Sequence, residues 1–385
     1  MVHAVRHGAS LRQVAQQFGV ALATVQRWVQ RAKGQRLDRV DWTERPCGLP
    51  TPVNRTERQR EDLVLTLRQQ LRDTSDLGEF GAAAIHREWL ARGLPDPPSV
   101  RTIGLILDRR GVLDRRRRIR RPPPRPGWYL PRLVDGRAEL DSFDLVEGLV
   151  IRGGTHVEVL NGISVHGGLV VSWPHAPAIT ASFVVQSLLE HWRAVGLPDY
   201  AQFDNDPIFE GPQIHPDTIG RVARVCLSLG VVPVFVPPRE TGFQAAIEGF
   251  NGLWQAKVWT RFQHTSLEGL QVQSARYVAA HRQRAASRIE AAPGRRALPE
   301  NWHLDVQAHP QGRLIFLRRS NAQGEIQLLG RVFLVDPLWQ HRLVRAEVDL
   351  KGQQVRCYTL CRRVPEQQPM VKKVAYVLPR RRFSE

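Results

Sequence analysis

The stretch LDSFDLVEGLVIRGGTHVEVLNGISVHGGLVVSW, residues 140–173, contains three consecutive segments with the residue pattern of β-strands. Apolar residues recur there with a period near two, which is typical of strands that bury one face. Glycine pairs at 153–154 and 167–168 separate the three segments and indicate turns. The stretch therefore predicts an antiparallel sheet of three strands.

Helices and strands alternate after this stretch. The pattern predicts helices near 178–194, 216–229 and 265–287, short strands at 200–204 and 231–236, and a further helix within 240–259. Three antiparallel strands followed by alternating elements predict a mixed α/β sheet covered by helices. Five short β segments from Gly312 onward predict a separate small β-barrel over 311–366, followed by a flexible basic tail at 367–385.

The chain begins with a predicted helix-turn-helix unit at 1–45. Ser10 is a suitable N-cap for the first helix, and Gly19 marks the turn before a second helix over Leu22–Arg31. An ordinary helical hairpin is the alternative, but the polar second helix favours DNA reading. The residues that this helix would expose to DNA are Thr24, Gln26, Arg27 and Arg31.

A second helix-turn-helix-like unit is predicted at 55–114, with helices at 56–72, 79–92 and 99–111. We expect Ser99 to cap its third helix and Val100, Ile103 and Leu107 to form the buried stripe of that helix. Arg101, on the same helix, is a candidate DNA contact.

An Arg- and Pro-rich linker follows at 115–130. Nine arginines lie between Arg109 and Arg125, and three successive prolines disfavour helix. Such a run can neutralise several phosphates without reading sequence, whereas an ordinary solvated charge run usually mixes signs. The candidate phosphate contacts within the linker are Arg115, Arg116, Arg117, Arg118, Arg120 and Arg121.

Composition limits the functional classes. The 385-residue chain carries 55 Lys and Arg against 37 Asp and Glu, a net charge of +18. A chain this basic usually binds a polyanion, most often nucleic acid, although a basic solvated surface is the alternative. Four cysteines do not make a disulfide framework, and no apolar run approaches about 18 residues. These features predict a cytoplasmic protein, nucleoid-associated when bound to DNA, with no membrane segment.

Three carboxylates occupy positions at which they could converge. Asp141 lies in the first strand, Asp204 at the end of the fourth strand, and Glu248 on the helix after the fifth. Three such groups could hold two divalent ions roughly 4 Å apart. Asp144 is the rival of Asp141, and because three positions along a strand change its face, only one of the two can be a ligand.

The arrangement resembles the retroviral-type integrases and the bacterial insertion-sequence transposases, which have a ribonuclease-H-like core with an Asp, Asp, Glu triad. The resemblance is carried by LDSFD at 140–144, QFDNDP at 202–207 and PPRETGFQAAIEGFN at 237–251, and it extends to the leading helical units and the trailing β segments. It implies a catalytic core at 131–290 and two Mg²⁺ ions, with Mn²⁺ able to substitute. It also implies double-stranded DNA, both element ends and target, as partner and a homo-oligomer on that DNA. An accessory ATPase is left open.

Glu240 competes with Glu248 for the third position. Glu240 stands 35 residues clear of Asp204, the spacing of many family members, and Glu248 stands 43 residues clear. The family pattern Glu-x-x-Asn favours Glu248, which is followed by Asn251. The basic residues that family members carry after this Glu are missing, and Lys257 is the nearest cation; Asn251 and Lys257 are therefore the candidate DNA contacts here.

The sequence thus predicts a DNA transposase or integrase of a mobile element, which binds the element ends and catalyses two-metal 3′-end cleavage and strand transfer. The alternative is a catalytically inactive DNA-binding regulator or domesticated relative.

Overall fold

A computed structural model of the chain describes residues 1–44, 56–113, 127–211 and 215–383. The chain divides into two compact units, 1–63 and 64–385. The linker arginines predicted to contact phosphate, at 115–121, lie outside the described residues. In the described part, no helix is both long enough and apolar enough to cross a membrane.

The first unit contains three short helices, α1 (Val2–Arg6), α2 (Leu11–Gln17) and α3 (Leu22–Arg31). The Ser10 side chain accepts a hydrogen bond from the backbone N–H of Gln13, so the predicted cap of α2 is confirmed. Val14, Ala15 and Val25 are buried between α2 and α3. The two helices and the turn between them therefore lie where the apolar periodicity predicts.

Three further helices precede the sheet: α4 (Arg58–Thr74), α5 (Ala82–Ala91) and α6 (Val100–Arg109). Ser99 caps α6 by accepting from the N–H of Thr102, as predicted. The predicted stripe on α6 is wrong at Val100, which is 44% exposed. Ile106 is buried instead, so the apolar face of α6 is centred one turn further along the helix.

The rest of the chain is built on strands and helices with the following bounds. The strands are β1 (Leu140–Val150), β2 (His156–Ser164), β3 (Val170–His175), β4 (Tyr200–Phe203), β5 (Val232–Phe235), β6 (Arg313–Arg319), β7 (Glu325–Leu328), β8 (Arg331–Leu334), β9 (Leu343–Asp349), β10 (Gln354–Leu360) and β11 (Met370–Ala375). The helices are α7 (Pro131–Val134), α8 (Ala181–Val195), α9 (Pro207–Glu210), α10 (Arg221–Ser228), α11 (Ala245–Trp254), α12 (Leu267–Arg284) and α13 (Ala286–Glu290), with a π-helical segment at Gln255–Trp259 after α11.

The central sheet is mixed, as predicted. β1, β2 and β3 pair antiparallel, and β4 and β5 join on the other side of β1 as parallel strands. Helices α8 and α10 pack on one face, where Leu188 and Val222 contribute to the largest apolar core. Helices α11 and α12 pack on the opposite face, where Phe250 and Leu270 contribute to a second core. Successive buried residues of β1 therefore face two distinct helical layers, as Phe143 and Val146 do.

The C-terminal strands do not form the predicted separate barrel. β6 pairs parallel with β5, and β9, β10 and β11 continue outward, so one nine-stranded sheet runs in the order β11-β10-β9-β6-β5-β4-β1-β2-β3. β7 and β8 form a separate hairpin. β11 also places the first part of the predicted flexible tail in the sheet. The local pattern of alternating residues specifies strands but not their partners, and here β6 pairs with the otherwise open edge of β5.

Candidate active site

Asp144 and Asp204 lie side by side at corresponding points of neighbouring strands. In the parallel pairing of β1 with β4, Ser142 is opposite Gln202. Two positions further along each strand come Asp144 and Asp204, and because two positions return a side chain to the same face, both lie on one face. The backbone N–H of Asp206 donates to Asp204 Oδ1 at 3.0 Å, which fixes that carboxylate just beyond the end of β4.

Helix α11 brings Glu248 to the same face of the sheet. Ile247 and Phe250 are buried against the sheet and anchor the helix, whereas Glu248 is exposed. Asn251, one turn later, is buried, and its Nδ2 donates to Asp144 Oδ2 at 2.8 Å. The sequence thereby delivers three carboxylates from two strands and one helix to a common region.

The electrostatics of this region are those of like charges held close together. Burial, followed by the charge of Asp204, raises the pKa of Asp144 to about 7, and Glu248 contributes in the same direction. Burial also raises the pKa of Asp204, to which the charges of Asp206 and Glu147 add, although the N–H of Asp206 opposes the shift. Within the described ranges, no Lys or Arg forms an ion pair with Asp144, Asp204 or Glu248.

Asp141, the predicted first carboxylate, has partners of its own inside the chain. Arg295 donates to both oxygens of Asp141, at 2.5 and 2.9 Å, and the indole N–H of Trp192 donates at 3.1 Å. Asp141 is 1% exposed and lies on the face covered by α8, away from α11. Its charge is therefore neutralised within the chain, and Asp144 is the β1 carboxylate that faces Asp204.

Glu240 has cationic partners of its own. Its carboxylate accepts from Arg319 of β6 and, at 3.3 Å, from Arg362 after β10. The hydrogen bond from Arg319 is the main reason that the pKa of Glu240 is lowered. Because Glu248 contributes to the raised pKa of Asp144 and Glu240 is paired elsewhere, the geometry favours Glu248 for the third position.

Two predicted DNA contacts near α11 have other partners. Asn251 is 8% exposed and bonded to Asp144, so it belongs to the carboxylate site rather than to the surface. Lys257 Nζ donates to the carbonyl of Gly78, in the loop between α4 and α5, at 2.9 Å. Arg261 donates to the last carbonyls of α4, including that of Arg72 at 3.0 Å. These cations bond carbonyls at the C-terminal end of α4 and in the following loop, and the assignment of Lys257 to DNA stays a prediction.

The residues of α3 and α6 that were predicted to contact DNA differ in exposure and in their partners. On α3, Gln26 and Arg27 are exposed and Thr24 is half-buried. Arg31 bonds Asp41 at 3.0 Å and the carbonyl of Thr43 at 2.7 Å. Arg101 is exposed on α6. Gln26, Arg27 and Arg101 are therefore accessible to a ligand, whereas Arg31 is held by its neighbours.

The donors present are suited to a hard divalent cation. Among the residues that the structure describes, no group of three or more His, Cys, Asp and Glu side chains is arranged to hold a metal ion. Mg²⁺ is usually held by one or two carboxylates together with water and substrate phosphate, so a complete protein cage is not required. Asp144, Asp204 and Glu248, which have no cationic partner among the described residues, match that chemistry, and a cation would offset the charges that add to burial in raising the pKa of Asp144.

Sequence reasoning missed two residues of this region. Glu147 adds negative charge near Asp204, and Asn161 of β2 donates to Asn251 Oδ1 at 2.8 Å. Neither lies in a recognisable motif. Asn161 could have been found only from the strand register, which sets it directly opposite Asp144. That register depends on the length of the β1–β2 turn and on the bulge in β1, and local residue types do not show it.

No protein-family model and no curated protein matches the chain. Among solved structures, the catalytic core domain of BIV integrase matches with 18% identity and a TM-score of 0.25, over 37% of this chain and 80% of that one. The simian T-cell lymphotropic virus intasome in complex with PP2A regulatory subunit B56 gamma matches with 14% identity and a TM-score of 0.34, over 78% of this chain and 96% of that one. At scores this low, the function has to be inferred from the side chains.

Proposed function

We propose that the chain is a DNA strand-transfer enzyme of the integrase and transposase type, with Asp144, Asp204 and Glu248 at its reactive centre. The observation that carries the proposal is the meeting of three carboxylates from β1, the end of β4 and α11 with no cationic partner in the described part of the chain. Perturbed and mutually repelling carboxylates are more typical of reactive sites than of structural ion pairs. On the opposite face of β1, by contrast, Asp141 and Arg295 form a structural ion pair.

Each carboxylate has a distinct contribution. Asp144 is held by the Asn251 amide, and Asp204 by the backbone of Asp206, so both have fixed directions. Glu248 is exposed on a helix that Ile247 and Phe250 anchor to the sheet, which lets it approach a bound phosphodiester from the solvent side. Two Mg²⁺ or Mn²⁺ ions, when bound, would activate the attacking oxygen and stabilise the leaving oxygen.

The proposed substrate is double-stranded DNA, both the ends of a mobile element and a target. The net charge of +18 supports binding to a polyanion, and exposed Gln26 and Arg27 on α3 and Arg101 on α6 are available for it. Side chains of this type read bases in the major groove, whereas the linker arginines would contact phosphates. Assembly as an oligomer on DNA is part of the proposal.

A second candidate function is DNA binding without catalysis. The observation that favours it is that the described carboxylates are not arranged as a three-ligand metal group. The two candidates differ in whether a divalent cation supports cleavage and joining of bound DNA.

The test uses the full chain, a pre-cleaved duplex made from the DNA that flanks its gene, and a plasmid target. We expect Asp204→Asn and Glu248→Gln to lose joining in Mg²⁺ and in Mn²⁺ by more than about 100-fold, because each removes an oxygen ligand and a charge. Binding to the duplex should be retained in both variants.

Glu240→Gln is the matched control, since it removes the rival glutamate, which is paired with Arg319 and Arg362. It should join at close to the wild-type rate. Wild-type binding without joining in either metal ion would support the non-catalytic candidate, and loss of joining in Glu240→Gln alone would contradict the choice of Glu248.

A further inference from the structure

A row of three polar side chains crosses β1, β2 and β3 on the face covered by α11 and α12. Asp144 is directly opposite Asn161, and Asn161 is directly opposite Ser172. Each member of the row meets a polar group from a helix. Asp144 and Asn161 contact Asn251 of α11, while Ser172 accepts from Ser274 of α12 at 2.8 Å.

Asn161 is the buried centre of this row, with no exposed surface. Its Nδ2 donates to Asn251 Oδ1 at 2.8 Å, and Asn251 Nδ2 donates in turn to Asp144 Oδ2 at 2.8 Å. The two amides therefore form a directed chain of donors that ends on the carboxylate. The Oδ1 atom of Asn161 is buried and has no hydrogen-bond partner in the described structure.

The direction of this chain follows from elementary hydrogen bonding. An Asn amide has a donor end and an acceptor end, and an ionised carboxylate can only accept. Asn251 can serve Asp144 only if its Nδ2 points there, which turns its Oδ1 toward Asn161. A donor at position 161 satisfies that oxygen and holds the Asn251 amide in the one orientation that suits Asp144.

We propose that Asn161 is a positioning residue for the divalent-cation site, acting through the orientation of the Asn251 amide on the Asp144 carboxylate. The inference rests on the proposed function, because the cation site that the two amides would support is part of that proposal. Because Asn251 Nδ2 bonds Oδ2 of Asp144, the orientation of this amide determines how the carboxylate is presented to a cation. Groups that orient metal-binding side chains in this way typically change metal affinity 10–100-fold, as an order of magnitude, when they are removed.

A substitution at Asn161 should weaken cation binding without a matching loss of thermal stability. Replacing Asn161 with Leu keeps most of the side-chain volume and removes the unpaired buried Oδ1, and this gain partly offsets the loss of the donor to Asn251 Oδ1. A residue that only filled space would therefore show little effect in any measurement. A positioning residue would show unchanged thermal stability and weakened cation binding.

The experiment measures Mn²⁺ binding to the full chain by the EPR signal of free Mn²⁺, with no DNA and no turnover. The wild type should bind Mn²⁺, Asp204→Asn should abolish this binding, and Asn161→Leu should weaken it by about 10-fold or more. The melting temperature of Asn161→Leu should stay within about 3 °C of the wild type.

Ser274→Ala is the control from the same row. Ser274 accepts from the indole of Trp254 and donates to Ser172, without contact to Asp144. Its replacement should lower the melting temperature and leave Mn²⁺ affinity unchanged, the opposite of the Asn161→Leu pattern. Adding Asn161→Leu to Asn251→Ala should weaken binding no further than Asn251→Ala alone, since the first residue acts through the second.

The outcomes separate the two proposals. Wild-type affinity in Asn161→Leu, with loss in Asp204→Asn, overturns the role of Asn161 and leaves the proposed function standing. Additive losses in the double variant also overturn the role, because they show that Asn161 does not act through Asn251. Absence of a Mn²⁺ site that depends on Asp204 in the wild type also overturns the role of Asn161, whereas the proposed function stands or falls with the joining assay, in which DNA phosphates complete the coordination of the cation.

Discussion

Asp141 and Asp144 are the same residue type on the same strand, three positions apart, and their environments are opposite. Asp141 has a bidentate guanidinium and an indole N–H as partners, and its charge is neutralised inside the chain. Asp144 accepts from the Asn251 amide and the Leu145 backbone, and burial together with the charges of Asp204 and Glu248 raises its pKa. The comparison shows that the face of β1 decides whether an aspartate stabilises the fold or remains available to a ligand.

The strongest test of this comparison is the activity of Asp144→Asn. We expect more than about 100-fold loss of joining, because an amide is a poor ligand for a hard cation. The fold should be retained, since the repulsion that Asp144 experiences from Asp204 and Glu248 is removed. Strand-transfer assays together with circular dichroism check both statements, and normal joining by this variant would remove Asp144 from the site.

The reciprocal change, Asp141→Asn, should act mainly on stability. It leaves the Arg295 guanidinium, whose side chain is 13% exposed, without its counter-charge. Breaking such a buried pair costs about 3–5 kcal/mol of unfolding free energy. Denaturant unfolding measures the loss. Wild-type stability combined with abolished joining would reverse the assignments of Asp141 and Asp144.

A smaller effect is expected in the pH dependence of stability. Because the pKa of Asp144 is about 7 in the folded chain and near 3.8 in the unfolded chain, the folded state holds this proton more tightly. The resulting stabilisation is complete below pH 3.8 and is lost as the pH rises through 7. Between about pH 5 and 8, wild type should lose on the order of 2 kcal/mol relative to Asp144→Asn, allowing for the partly exposed carboxyl.

Urea unfolding of both proteins in EDTA at several pH values measures this difference. If the difference in unfolding free energy between the two proteins were the same at every pH, Asp144 would be ionised throughout the range, and its position on β1 would not raise its pKa.

The contrast also explains what the sequence could and could not predict. The caps at Ser10 and Ser99 were predictable because a capping side chain acts on its own helix within one turn. The order of strands and helices in the core was predictable from residue periodicity. The choice between Asp141 and Asp144 was not, because alternation shows that they face opposite sides without showing which side α11 will cover.

Long-range partners account for the remaining differences. Nothing near Lys257 in sequence indicates that its ammonium will bond the carbonyl of Gly78. Similarly, β6 has the alternation of a strand in any sheet, and its pairing with β5 depends on where the intervening helices end. Such contacts are fixed by the assembled fold.

The continuous sheet has a consequence for the synthesis of the chain on the ribosome. β5 is flanked by β4 and β6, and Phe235 of β5 stacks on Phe316 of β6 with ring centroids 5.1 Å apart. Until residues 313–319 have been translated, one edge of β5 and this aromatic surface have no partner, although every proposed site residue has already been made. A nascent or truncated chain that ends near residue 308 would therefore expose an open strand edge prone to aggregation. The risk of aggregation through this edge therefore ends when the C-terminal strands have been synthesised, and not when the site residues have.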